Sequence, residues 1–485
     1  MDIDDDNDDN DDDDLKEYDL EHYDDDDDED AKHNPDIPTT MGMFGNSKAL
    51  VYHESNADDP YITLQGNPEE DEEREELQIL ATDNLVLATK VEDDLAQLEV
   101  YVYEDDADNL YVHHDIMLPA IPLCVEWLDF AVNKQGAARE SAANFVAVGT
   151  MDPEIEIWDL DTVDSMYPNA ILGQAEGDRR ANSEPGSRKK SKKKKSAKAN
   201  DAYHVDAVLS LAANRKHRNL LASASADKTV KLWDLGTTQC AKSYSYHEDK
   251  VCSLAWHATE STLLLSGSYD RTAVAGDMRA PDAKRPRWGV ESDVETVRWD
   301  PHDANYFFVS TESGTVHYFD KRAAPASPKD TKAVWTLHAH DGAVNAFDVN
   351  PVVPGFMATG SADRTVKLWN FSAGSGPSMV VSRNLDVGKV FAATFAPDAE
   401  VAFRLAVAGS QGTMHVWDTS TNAAVRKAFA DRVPEGKEEG KEDRLVGVQD
   451  DSEEEGSDDD EENGNDDDDS DAGGPADGHE SMDED

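Results

Sequence analysis

Short runs with apolar residues at every second position fill the middle of this chain. In 229–233 the apolar Val230 and Leu232 alternate with polar Thr229 and Lys231, the period of a half-buried strand. Just upstream, 220–225 is rich in β-favouring residues, and Ala226-Asp227-Lys228 supplies a polar turn between the two runs. The unit ASASADKTVKLWD at 222–234 returns as ATGSADRTVKLWN at 358–370, with nine of thirteen positions identical. More diverged copies end at Asp159, Asp277, Asp320 and Asp418, and a faint one, LEVYVYEDD, lies at 98–106.

Aligning these copies places Tyr103, Trp158, Trp233, Gly276, Phe319, Trp369 and Trp417 in one slot. Most gaps between them run from 43 to 55 residues; the gap from 158 to 233 is longer and implies an insertion. Strands ending in Trp-Asp at this period are the signature of WD repeats, each one a four-stranded blade. No blade buries both faces alone, and seven units match the size of a closed ring. The chain is therefore expected to be all-β: a seven-bladed WD-repeat β-propeller over 77–432. It is expected to carry a basic, disordered insertion at 166–203, between strands or blades, and acidic disordered ends at 1–76 and 433–485.

A second periodicity runs through the repeats. His204, His247 and His340 each precede a turn aspartate (Asp227, Asp270 and Asp363) by 23 residues. In two blades a hydroxyl and an indole keep step, Ser223 with Trp233 and Thr359 with Trp369; Ser266 holds the hydroxyl position of the third. This resembles the His–Ser/Thr–Asp–Trp hydrogen-bond relay of WD-repeat blades, in which the carboxylate accepts from histidine and the hydroxyl links histidine to the indole. Such a buried polar chain is stable only when every member is paired. The same residue types also make up hydrolase triads, but a catalytic set occurs once, not at a fixed phase in several blades. Elsewhere the relay is incomplete: Gly276 lacks the indole, and Ser313 and Gln411 stand where aspartate is expected. Lys228, Arg271 and Arg364 follow the turn aspartates and are expected to line one rim, together with Asp206, Asp249 and Asp341. That rim is the candidate partner-binding surface; the alternative is ordinary exposed turn residues.

Charge divides the chain further. Its net charge is −59, and residues 1–30 hold 20 acids against one lysine, while 433–485 hold 25 acids against three basic residues. Such blocks repel themselves and carry little to bury. They read either as solubilising tails or as binding tails for basic partners such as histones or ribosomal proteins. Residues 179–198 reverse the sign, with ten basic residues and one acid. Lys189, Lys190, Lys192, Lys193, Lys194, Lys195 and Lys198 in that run form a candidate nuclear-import or RNA-backbone patch. Without interleaved aromatics, base stacking is not expected there. Ser452, Ser457 and Ser481 each have an acid three residues on, the pattern of acid-directed kinase sites; the alternative is that they are spacers. A β-prone island, DPYITL at 59–64, and a short helix over 69–80 are expected before the first blade. Cys124, Cys240 and Cys252 are scattered with no CxxC pair, which argues against a disulfide framework or a zinc site and fits a reduced intracellular compartment.

Several longer segments are more specific than the repeats. LEVYVYEDD at 98–106, YVHHDIMLPAIPLCVEWLDF at 111–130 and VAVGTMDPEIEIWDLDTVDS at 146–165, followed by the lysine run, resemble the periodic tryptophan family of WD-repeat proteins. So do VDAVLSLAANRKHRNLLASASADKTVKLWD at 205–234, HEDKVCSLAWHATESTLLLSGSYD at 247–270, EYDLEHYDDD and DPYITL. The resemblance implies a nuclear, largely nucleolar protein of ribosome biogenesis, acting in pre-rRNA processing and assembly of the large 60S subunit. Its partners would be pre-ribosomal proteins, rRNA and the nuclear import machinery. The alternative it implies is a histone-binding chromatin regulator of ribosomal DNA transcription. No Walker loop, zinc spacing, nucleophile elbow or F-box-like helix is found. A non-enzymatic scaffold without cofactor, metal, membrane or small-molecule substrate is expected.

Overall fold

In a computed structural model of the chain, residues 79–448 are described, apart from 133–141, 175–199, 433–443 and a few shorter gaps. They form seven antiparallel sheets arranged as the seven blades of a β-propeller. Blade one spans 84–118, blade two 122–172, blade three 208–244 and blade four 251–289. Blade five spans 294–338, blade six 346–383 and blade seven 390–447. Blades two to seven are four-stranded meanders in chain order, from an innermost strand to an outer one.

Blade one has three strands among the described residues: Asn84–Glu92, Leu95–Glu104 and Asn109–Leu118. Its first strand lies against Pro122–Leu128, the innermost strand of blade two, as second strands elsewhere lie against the next blade's innermost strand. Its three strands therefore hold the second, third and outer positions of a blade. Tyr103 then occupies the penultimate place of a third strand, as Trp158 does in Ile155–Asp159 and Trp233 in Val230–Asp234.

Third strands are buried on both faces, because each blade is sandwiched between two others. All five residues of Ile155–Asp159 are buried. Alternation in 229–233 suggested one solvated face, yet Lys231 is fully buried. Its stem lies in the packed layer, and its ammonium donates to Asn200 O at 2.5 Å and Ser243 Oγ at 2.8 Å. Blade contacts are close enough to require glycine at some second-strand ends. A Cβ at Gly360 would come 2.4 Å from Val390 Cγ1, and one at Gly267 would come 2.6 Å from Val294 Cγ1.

Two sequence-based boundaries need correction. The segment 166–203 includes the outer strand of blade two, Ala170–Leu172, and the stretch from Asn200 that receives Lys231. Likewise 433–485 includes Leu445–Gly447, the outer strand of blade seven. Three-residue edge strands are too short to show a period, so pairing with a neighbour defines them. Residues 175–199, with the lysine run, 433–443 and 449–485, with Ser452, Ser457 and Ser481, lie outside the described residues, as do 59–64 and nearly all of 69–80.

The last strand also joins blade seven to blade one. Tyr101, Tyr103 and Leu110 pack against Met414, Val416 and Val446. Beside them Arg404 makes a two-pronged contact with Asp105, Nε to Oδ1 at 2.5 Å and Nη2 to Oδ2 at 2.9 Å. Arg404 also meets Asp418 at 2.5 Å. Arg444 reaches Asp105, Asp108 and Asp418. Removing residues 433–485 should therefore lower stability by about 3 kcal/mol, because Asp105 and the buried Asp418 lose the half-buried Arg444. Removing 449–485 should leave the melting temperature unchanged. Equal melting of the two truncations would contradict a closing role for 444–447.

Candidate functional site

The relay geometry is clearest in blade three. Trp233 Nε1–H donates to Ser223 Oγ at 2.8 Å, Ser223 Oγ lies 2.7 Å from His204 Nε2, and His204 Nδ1 lies 2.9 Å from Asp227 Oδ2. The indole can only donate and the carboxylate only accept, so the imidazole carries its proton on Nδ1 and accepts from serine on Nε2. Asp227 also accepts from the Thr229 amide at 2.9 Å and its hydroxyl at 2.6 Å. The carboxylate thereby ties the strand-two-to-strand-three turn to the loop that enters the blade. Blade six repeats this with Trp369, Thr359, His340 and Asp363 at 2.9, 2.8 and 2.9 Å.

Blade four keeps the relay without its indole. His247 lies 2.9 Å from Asp270 and 2.8 Å from Ser266 Oγ. Tyr246 hydroxyl stands 3.1 Å from Ser266 Oγ, in place of the missing indole nitrogen. The space at Gly276 is filled from the side: a Cβ there would lie 2.9 Å from Arg285 Nε. The Arg285 guanidinium lies over the Tyr246 and Tyr244 rings at 4.7 and 5.4 Å.

Blade five uses different residues. Ser313 holds the aspartate position, but the carboxylate comes from Glu291 in the entering loop. Glu291 accepts from Ser313 Oγ at 3.1 Å and from Thr315 Oγ1, and pairs with His317 Nε2 at 2.8 Å. The carboxylate sits in the entering loop and the imidazole within the third strand, and a fixed-phase search for His-then-Asp passes over both. In blade two Trp158 donates to Glu156 at 3.2 Å on its own strand. In blade seven, Trp417 Nε1 is buried with no partner among the described residues.

Ser223, Ser266 and Thr359 are 0% exposed, so no substrate reaches the hydroxyls. Burial lowers the imidazole pKa of His204, His247 and His340, outweighing the upward pull of their aspartates. For Asp227 and Asp270 burial acts upward, but donors from the relay histidine and the turn threonine hold both at about 2.

The turn cations have an unusual backbone. Lys228, Arg271 and Arg364 all have positive φ, at 71°, 62° and 70°, where glycine is ordinarily preferred. Lys228 Nζ donates to Glu248 O at 2.8 Å, and Arg271 Nε reaches Asp293 at 3.4 Å. Each of these two bridges to the entering loop of the next blade. Arg364 makes no ion pair among the described residues. Asp206 and Asp249 accept from the following backbone amides at 2.9 Å, and Asp341 is exposed.

Seven meandering four-position blades with this relay define a WD-repeat propeller, and the WD domain, G-beta repeat model matches residues 202–234, 238–274 and 331–370. The chain is 39% identical over 467 residues to Periodic tryptophan protein 1 of Saccharomyces cerevisiae, covering 88% of this chain and 78% of that one. It is 31% identical over 365 residues to the Drosophila melanogaster homolog, covering 74% and 73%. An uncharacterized WD repeat-containing protein of Schizosaccharomyces pombe is 54% identical over 436 residues, covering 90% and 79%. The chain belongs to the periodic tryptophan protein 1 family.

Replacing Asp227 and Asp363 together by alanine should cost about 1–3 kcal/mol per site, because each change leaves a buried imidazole without its acceptor. An unchanged melting temperature would contradict the relay. The histidines also make stability depend on pH. Their folded pKa values lie below 6.5, so their contribution is complete above about pH 6.5 and is lost as pH falls towards the folded values. The denaturation midpoint should fall less between pH 7.5 and 5.5 in His340→Gln than in the unaltered protein. Parallel curves would show that His340 does not titrate on unfolding.

Proposed function

We propose that this chain is a non-enzymatic docking scaffold of nucleolar ribosome biogenesis, serving pre-rRNA processing and large-subunit assembly. The observation that supports the docking part is the repeated relay, which fixes the turns that carry Lys228, Arg271 and Arg364 in three blades. Positive φ at long cationic side chains, where glycine would relieve the backbone, supports use of those side chains at the surface. The ribosomal part rests on family membership and on the ten basic residues of 179–198. In this reading the lysine run contacts RNA backbone and import receptors while the rim holds a protein of the precursor particle.

The test is sedimentation of nuclear extract containing the tagged full chain. Co-migration with a large-subunit precursor, lost on RNase treatment, is the expected result. Deleting 179–198 should leave melting unchanged and reduce nuclear accumulation or RNA association. Co-elution with nucleosomes, insensitive to RNase, would replace this reading with the chromatin one.

A further inference from the structure

Two of the three turn cations are latched to the blade that follows. Lys228 reaches Asp249 at 3.6 Å as well as Glu248 O, and Arg271 reaches Asp293 at 3.4 Å. Arg364 in blade six has the same left-handed backbone and no ion pair among the described residues. The reason lies in the loop entering blade seven, 384–389. Its one acid, Asp386, is turned back on Asn384. The Asn384 side-chain amide donates to Asp386 Oδ1, and the Asp386 N–H donates to Asn384 Oδ1, both at 3.1 Å. The last residue of the loop is itself a cation, Lys389.

A single carbonyl holds the two cations together. Ser361 O accepts from the Arg364 N–H and from the Val390 N–H, each at 3.1 Å. Lys389, one residue before Val390, therefore lies beside the Arg364 turn. Lys389 is exposed and makes no ion pair among the described residues. Asp363, next to Arg364 in the chain, is committed to His340 and Thr365. Val390 is fully buried, while Lys389 and Phe391 on either side of it are exposed, Phe391 at 57%. The ammonium and the phenyl ring thus share one face of the chain.

The surroundings select the partner. Asp341 is exposed beside His340. In blade five, burial, with Glu312 and Asp293 close by, pushes Glu295 up to about 7. A nucleic-acid backbone carries a charge at every residue and meets that negative field when laid across these loops. One carboxylate on a protein segment meets only the two cations. An inorganic anion leaves the phenyl ring unused. An acidic residue beside an apolar one satisfies both halves.

We propose that Arg364 and Lys389 receive a glutamate or aspartate side chain of a partner protein segment, while a neighbouring apolar residue of that segment rests on Phe391. The incoming carboxylate stands in for the acid that Asp249 offers Lys228 and Asp293 offers Arg271. The proposal rests on the docking reading and names the chemistry of the segment that docks.

The test uses the full chain labelled with 19F-phenylalanine and a capped peptide in which leucines flank a single glutamate. The Phe391 resonance, assigned with Phe391→Leu, should move saturably, and that of fully buried Phe356 should not. Arg364→Gly should weaken the affinity read at Phe391 by about fivefold with no loss of melting temperature, because glycine suits the positive φ. Lys389→Gln should weaken it similarly, and the two changes together should abolish the shift. A glutamine-for-glutamate peptide, and inorganic phosphate alone, should leave Phe391 unmoved. An affinity indifferent to both cation variants, or a shift with phosphate as large as with the peptide, overturns the site. A Phe391 signal that moves without peptide when 449–485 are removed assigns the cations to the chain's own acidic end and overturns the partner segment. A silent Phe391 together with intact co-sedimentation overturns the site alone and leaves the docking scaffold standing. A responsive Phe391 without co-sedimentation overturns the ribosomal reading and leaves the site.

Discussion

Both faces of each blade are apolar, so no blade of this protein is stable unless two neighbours cover it. That constraint makes the ring obligatory and puts the greatest demand on the join between blades seven and one. There the chain packs Tyr101 and Tyr103 against Met414, Val416 and Val446, and surrounds Asp105 and Asp418 with two arginines. The same tight approach explains why Gly267 and Gly360 face valines of the following blades without room for a methyl group.

Covering every face leaves polar groups inside that must be satisfied. A buried imidazole needs a partner on each nitrogen, and the relay supplies both from within one blade. The blades show that the requirement is chemical, not tied to particular residues. Tyr246 replaces an absent indole in blade four, and Glu291 with His317 replaces the usual order in blade five. What each solution does is anchor a turn on the rim.

That rigidity is what connects stability to function. A rim whose turns are held from beneath can offer side chains to a partner with little ordering cost. Lys228 and Arg271 spend part of their charge on the neighbouring blade, which makes them latches as well as surface cations. Arg364 has no ion pair among the described residues and is the freest of the three.

Much of this was legible in the chain. The recurrence of Asp-Lys/Arg-Thr-Val-Lys-Leu-Trp, the 23-residue His-to-Asp interval and the spacing of the slot residues depend on local chemistry that every blade needs, so they recur in writing. The blade count and the members of the relays follow from them. The outer strands Ala170–Leu172 and Leu445–Gly447 were hidden, because an edge strand of three residues is chosen by the strand it pairs with. So were the burial of Lys231, the Tyr246–Arg285 substitute for an indole and the pairing of Glu291 with His317. Repetition along the chain reports what a single blade must satisfy within itself. Contacts across blades join residues far apart in sequence, and only the closed ring decides which groups meet.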